Sequence, residues 1–150
     1  MGMYTELVLG IGLRLQKHEE YVLDILKYMC GDIKELNVPA DKLAHPLFQA
    51  ERWRIMLRCG SYYFDGQPNS FVTEDEINCK FLTVRCNLKN YDSEIEKFLN
   101  WIVKFTDYYS EFVGYMRYEE VEHPTLIYFS RDEVHYGYPT EITYNMEDLS

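Results

Sequence analysis

The most constraining feature of the sequence is an alternation near its start, over residues 5–15. Successive side chains of a β-strand point to opposite faces, so a period of two places every second residue on one face. The opposite row holds Gly10 and Gly12, where the strand has no side chains. The apolar row comprises Thr5, Leu7, Leu9, Ile11, Leu13 and Leu15. We therefore expect a sheet with one buried face, which needs a second layer to cover it.

Two segments carry the period of an amphipathic helix and are candidates for that layer. The first covers residues 17–30, and Gly31 is the expected C-terminal stop. The second covers residues 93–105, where Ser93 and Glu96 match a capping box.

Alternation and turn residues predict the remaining strands. We predict strands at residues 52–59, 81–88, 112–119 and 125–129, with 134–144 as a further candidate. The strand at 52–59 is expected to continue through 61–64 to a turn at Asp65-Gly66. One or two helical turns are expected within 67–79, because Thr73 and Glu76 match a capping box.

The order of these elements predicts an α+β chain. A length of 150 residues is typical of a single domain, residues 1–150. One-sided strands with two amphipathic helices favour a two-layer sandwich, with a mostly antiparallel sheet and both helices on one face. The predicted order of strand, helix, two strands, helix and strand is typical of a ferredoxin-like βαββαβ unit, here followed by a C-terminal hairpin.

Composition excludes several classes of protein. Hydrophobic residues make up 47% and charged residues 27%, which excludes a disordered or collagen-like chain. There is no apolar run of about 18 residues, so we expect no membrane span. The start lacks the pattern of a signal peptide, and the four cysteines form no CxxC pair. We expect a cytoplasmic protein with reduced cysteines.

The negative charge is concentrated in the last third of the chain. The formal net charge is −10, and residues 106–150 hold ten acids against Arg117 and Arg131. Such a chain is not expected to bind nucleic acid non-specifically, but its carboxylates suit a basic groove on a partner protein. Ordinary solubility is the alternative explanation. The candidate acidic binding surface consists of Glu119, Glu120, Glu122, Asp132 and Glu133.

Arginines form a second candidate site. Several lie on predicted strands, out of phase with the apolar residues, and so belong to the sheet face without helices. Arginine binds phosphate and tyrosine stacks on bases, so this face suggests a nucleotide or RNA binder. A solvated face with cross-strand ion pairs, for instance to Glu6, is the alternative. The residues of this candidate face are Arg52, Arg54, Arg58, Arg85, Arg117 and Tyr115.

No catalytic motif is visible. The four histidines form neither HxxxH nor HExxH, so the sequence predicts no metal site and no cofactor. Asp132, Glu133 and His135 are close in sequence, but acid–base chemistry requires a desolvated cleft. A non-enzymatic protein is the expectation, with a small enzyme whose site only the fold assembles as an alternative.

Over residues 3–129 the chain resembles uncharacterised small proteins encoded by tailed bacteriophages and prophages. The segments that carry the resemblance are 3–7 (MYTEL), 52–54 (RWR), 61–66 (SYYFDG) and 87–92 (NLKNYD). The resemblance implies the cytoplasm of an infected bacterium and an accessory role, for instance blocking a host defence or nucleic-acid-handling protein. It brings no catalytic residues with it.

Overall fold

The computed structural model of this protein describes residues 3–60 and 70–138. Its helices and strands, joined by short 3₁₀ segments, are β1 (Thr5–Leu13), α1 (Tyr21–Cys30), β2 (Phe71–Glu74), β3 (Lys80–Leu88), α2 (Glu94–Ile102), β4 (Glu111–Tyr118), β5 (Thr125–Ser130) and β6 (Glu133–Gly137). The described part of the chain is therefore α+β, as predicted.

The strands form one sheet in the order β2-β3-β1-β4-β5-β6, and every neighbouring pair is antiparallel. The central strand is β1, the strand with the clearest alternation. It pairs with β3 along its whole length, but its register with β4 ends at Leu9 opposite Gly114. The prediction of a mostly antiparallel sheet is confirmed.

An irregularity in β4 shortens its pairing with β1. The register of β4 against β5 shifts between Phe112 and Gly114, as at a β-bulge. Beyond that point Gly12 donates its backbone N–H to the Tyr108 hydroxyl at 2.6 Å. A side chain thus replaces the neighbouring strand as the partner of the β1 backbone.

The apolar row of β1 lies in the core. Leu7, Leu9 and Ile11 are buried in one cluster with the alternate residues of β3 and with the buried faces of both helices. The period of two therefore identified the buried face of this strand. At its C-terminus α1 ends as expected, because Gly31 has a φ of 88° and donates to the last carbonyls of the helix.

The predicted strand at 52–59 is wrong. The segment forms turns followed by a 3₁₀-helix at Met56–Arg58, with Trp53, Met56 and Leu57 buried and Ile55 47% exposed. Burial at positions 53, 56 and 57 follows a helical spacing. The Trp53 ring packs edge-on against Phe48 at 4.8 Å between centroids. Packing against a neighbouring aromatic residue therefore overrode the local alternation.

The expected helical turn at residues 73–76 is also wrong, because this segment begins a hairpin. The edge strand β2 pairs with β3, and the Asp75 carboxylate accepts hydrogen bonds from the backbone N–H groups of Ile77 and Cys79. This side chain closes a turn in place of a helix cap. The predictions for residues 61–66 and 139–144 lie outside the described residues.

Candidate functional site

The five carboxylates of the predicted acidic surface lie in two groups, at two different turns of the sheet. Glu119, Glu120 and Glu122 lie in the turn between β4 and β5, whereas Asp132 and Glu133 lie at the turn between β5 and β6. The six residues of β5 separate the two groups by about 20 Å, at about 3.4 Å per residue. Charges that far apart are screened from one another at physiological salt.

We call Glu119, Glu120 and Glu122 the acidic hairpin. Glu119 is anchored to the start of β1: its N–H donates to the Tyr4 carbonyl, and its carboxylate accepts from the Tyr4 N–H, both at 2.9 Å. The side chain of Tyr118 is exposed beside this turn. Desolvation, followed by the Glu120 carboxylate, raises the pKa of Tyr118. The acidic hairpin thus combines carboxylates with an accessible aromatic ring.

Half of the predicted arginine face is present on the sheet. Arg85 and Arg117 lie on β3 and β4, opposite Val8 and Glu6 of β1, and Tyr115 also lies opposite Val8. The Glu6 side chain is 1% exposed. Burial, followed by the Glu6 carboxylate, raises the pKa of Tyr115, while Arg117 lowers it. A carboxylate therefore lies among the cations of this face.

The other arginines of that prediction lie elsewhere, because residues 52–59 do not form a strand. The Arg54 guanidinium lies 4.9 Å from the centre of the Trp53 ring and donates to the Tyr28 hydroxyl at 2.9 Å. Arg58 donates to the Arg54 carbonyl at 3.0 Å. Placing these residues and Arg52 on the open sheet face was therefore wrong.

Arg52 instead lines a cavity of about 330 Å³ that the sequence did not predict. Four parts of the chain build it: the start of β1, the end of β3, the approach to α2 and the turn at 51–59. We call it the Tyr4–Tyr91 cavity. Its lining includes Tyr4, Arg52, Ile55, Leu88, Lys89 and Tyr91. No local motif marks it, because its walls come from segments far apart in sequence.

Two aromatic rings and one ammonium group are close together at this cavity. Lys89 Nζ lies 5.9 Å from the centre of the Tyr4 ring and 6.0 Å from that of Tyr91. Cys59 also lines the cavity, and its thiol donates to the Ile55 carbonyl at 3.5 Å. Burial raises the pKa of Cys59, and Arg52 opposes that shift. The thiol is thereby held in its weakly nucleophilic, protonated form.

Two of the histidines make local structural contacts. His45 caps a 3₁₀-helix by accepting from the Leu47 N–H at 3.0 Å. His135 and Glu133 form an exposed pair at 3.2 Å rather than a desolvated cleft. Within residues 3–60 and 70–138 no cluster of three or more His, Cys, Asp or Glu side chains is arranged to hold a metal ion. In those same ranges no helix has the length and apolar character needed to cross a membrane.

Comparisons with protein-family models, with curated proteins and with solved structures find no match to this chain.

Proposed function

We propose that this chain is a non-enzymatic, phage-encoded accessory protein that binds a basic surface of a host protein through the acidic hairpin. The observation that carries the proposal is the position of three carboxylates beside Tyr118, which is 38% exposed, and Val121, which is 47% exposed. The phage origin and the host cytoplasm rest on the resemblance of the sequence.

The chemistry of the acidic hairpin suits a protein partner rich in lysine and arginine. Carboxylates on one side of an interface steer a basic partner towards it and increase the association rate. Tyrosine adds buried area and a hydroxyl, which is why it is enriched among the residues that dominate interface energies. Tyr118 is held in place by β4, where it pairs with Thr5 of the central strand.

For the fold, we infer a ferredoxin-like unit with both helices on the same face of the sheet. The support is that α1 and α2 bury their apolar residues in the same cluster as Leu9 and Val84. In the sheet, β1 lies between β3 and β4, with β2 outside β3. This arrangement leaves the turn between β4 and β5 at an end of the sheet, where a partner has access to it.

The test is capture of a partner from bacterial lysate, followed by association kinetics with the purified partner. Glu120→Lys with Glu122→Lys reverses two carboxylates of the acidic hairpin. Asp132→Lys with Glu133→Lys is the matched control, because it changes the net charge of −10 by the same four units at the distant turn. We expect a slower association only for the first pair, with a dissociation rate that changes less.

Added salt should slow the association of the wild-type protein in the same way. The proposal is wrong if both double variants associate with the partner at the wild-type rate at low salt. It is equally wrong if the control pair slows association as much as the hairpin pair, because the effect is then one of total charge.

A further inference from the structure

The geometry points to a second binding site: the Tyr4–Tyr91 cavity takes a nucleoside monophosphate. Its base lies against the tyrosine rings, and its phosphate is bound by Arg52 and Lys89. This site adjoins the acidic hairpin, because Glu119 is hydrogen-bonded to the backbone of Tyr4. It does not depend on the function proposed for the acidic hairpin. Three features of the cavity support this assignment: the contacts of its charged residues, its walls and its size.

The two cations at the cavity are available for an anion. Among residues 3–60 and 70–138, neither Arg52 nor Lys89 is in an ion pair. Two of the lining carboxylates are engaged. Asp92 pairs with Lys97 at 3.1 Å, and the buried Glu94 accepts a hydrogen bond from the Asp92 N–H at 3.1 Å. In the described part of the chain, a guanidinium and an ammonium group without an ion-pair partner can therefore bind a phosphate at this cavity.

The walls of the cavity suit a flat ring. Tyr91 is 73% exposed and Tyr4 is 39% exposed, so both present ring surface to a ligand. Met56 and Leu88 are buried and supply an apolar floor. Nucleobases stack on tyrosine faces, and such contacts tolerate any base because every base has a π-face.

The third lining carboxylate distinguishes a nucleotide from a simple anion. Glu51 is exposed and, in the described part of the chain, makes no hydrogen bond or ion pair. Its carboxylate can accept an N–H from the edge of a base, an interaction that inorganic phosphate cannot make. The volume of about 330 Å³ lies at the lower end of the range for small-molecule sites, which favours a mononucleotide over a dinucleotide.

The experiment is isothermal titration calorimetry of the full chain with AMP, GMP, CMP and UMP in turn. Adenosine and inorganic phosphate serve as the two half-ligands. We expect at least one mononucleotide to saturate the protein at a ratio of one to one, more tightly than either half-ligand. Arg52→Gln with Lys89→Gln should weaken that binding about tenfold or more, because two charge-assisted hydrogen bonds are lost.

Matched controls distinguish a loss of binding at the cavity from a general effect of removing a cation or an aromatic ring. Lys104→Gln removes an exposed cation on the 3₁₀ segment after α2 and should leave binding unchanged. Tyr91→Ala should weaken binding, whereas Tyr109→Ala, which removes a ring that is 75% exposed outside the cavity, should not. The circular dichroism of each variant checks that it folds.

Three results would overturn the assignment. They are the absence of saturable binding by all four mononucleotides at millimolar concentration, inorganic phosphate binding as tightly as the best mononucleotide, or folded cavity variants that bind like the wild type. None of these results decides whether the acidic hairpin captures a partner, because mononucleotide binding is measured in the absence of a partner protein.

Discussion

Gly114 of β4 lies against Val8 of the central strand so closely that an added Cβ would be 2.0 Å from the Val8 carbonyl oxygen. The same Cβ would be 2.9 Å from the Leu9 Cα, so both close contacts are with backbone atoms. Backbone within a paired sheet cannot move aside as a flexible side chain can. The position is therefore restricted to glycine by a close approach of two strands.

Gly114→Ala is expected to destabilise the fold by about 3 kcal/mol or more, because it separates β1 from β4. Gly10→Ala is the matched control, since a Cβ there meets nothing within 4 Å. Its stability should be unchanged or increased by up to about 1 kcal/mol, because alanine restricts the unfolded chain. Urea unfolding of the two variants measures both effects, and equal stabilities would contradict the argument.

Tyr108→Phe should cost about 1 kcal/mol, because Gly12 loses the acceptor of its backbone N–H. The ring is retained, so its packing against Phe129 should persist. Amide hydrogen exchange should show faster exchange at Gly12, while the paired residues Leu7 and Leu9 stay protected. Unchanged exchange at Gly12 would mean that the hydroxyl does not protect this amide.

Leu99→Ala should destabilise the protein by about 2–5 kcal/mol, because Leu99 of α2 is fully buried in the core. Ile77→Ala is the comparison, since Ile77 is 80% exposed in the turn between β2 and β3. Its effect should be within about 0.5 kcal/mol. Thermal and urea denaturation of both variants test whether the apolar face of α2 contributes to the core.

Stability should fall at alkaline pH, in part through Cys30. Burial raises the pKa of the Cys30 thiol from 9.0 to about 12; Asp32 adds to this shift and Arg58 opposes it. The neutral thiol is favoured in the fold, so this contribution is fully present below about pH 9 and is lost as pH rises towards 12.

The measurement is the free energy of unfolding from about pH 8 to about pH 11. Cys30→Ala should reduce the loss of stability over this range, and Cys79→Ala, which alters an exposed cysteine, should not. Burial also raises the pKa values of Cys86 and Tyr136. Part of the loss of stability with rising pH should therefore remain in every variant. Identical slopes for wild type and Cys30→Ala would contradict this role for the thiol.

The elements whose hydrophobic periodicity extends over many residues were predictable from the sequence. The alternation of β1 indicated which face would be buried, and Leu7, Leu9 and Ile11 are indeed in the core. The stop of α1 at Gly31 was predictable too, because a left-handed residue after a helix favours glycine. In both cases the signal is local, because the side-chain period of a strand and the permitted backbone angles of a helix end involve only residues that are neighbours in the chain.

The segment at residues 52–59 shows where local reasoning failed. Its alternation predicted a strand, yet Trp53 packs on Phe48 and the chain forms turns. For that reason, half of the residues predicted for the arginine face do not lie on the sheet. Packing partners outside the segment decide its structure, since short apolar patterns are compatible with both periods.

Composition and periodicity were enough to predict the α+β class of the described part, the buried face of its first strand and the negative charge of the chain, because none of these depends on which distant segments meet. Which charged and aromatic residues lie together depends on the folded structure. It separated Glu119 from Asp132 by the length of β5, and it brought Tyr4 within reach of Lys89 and Tyr91. Strand pairing joins residues that are far apart in the chain, and the register of the pairing fixes which side chains become neighbours.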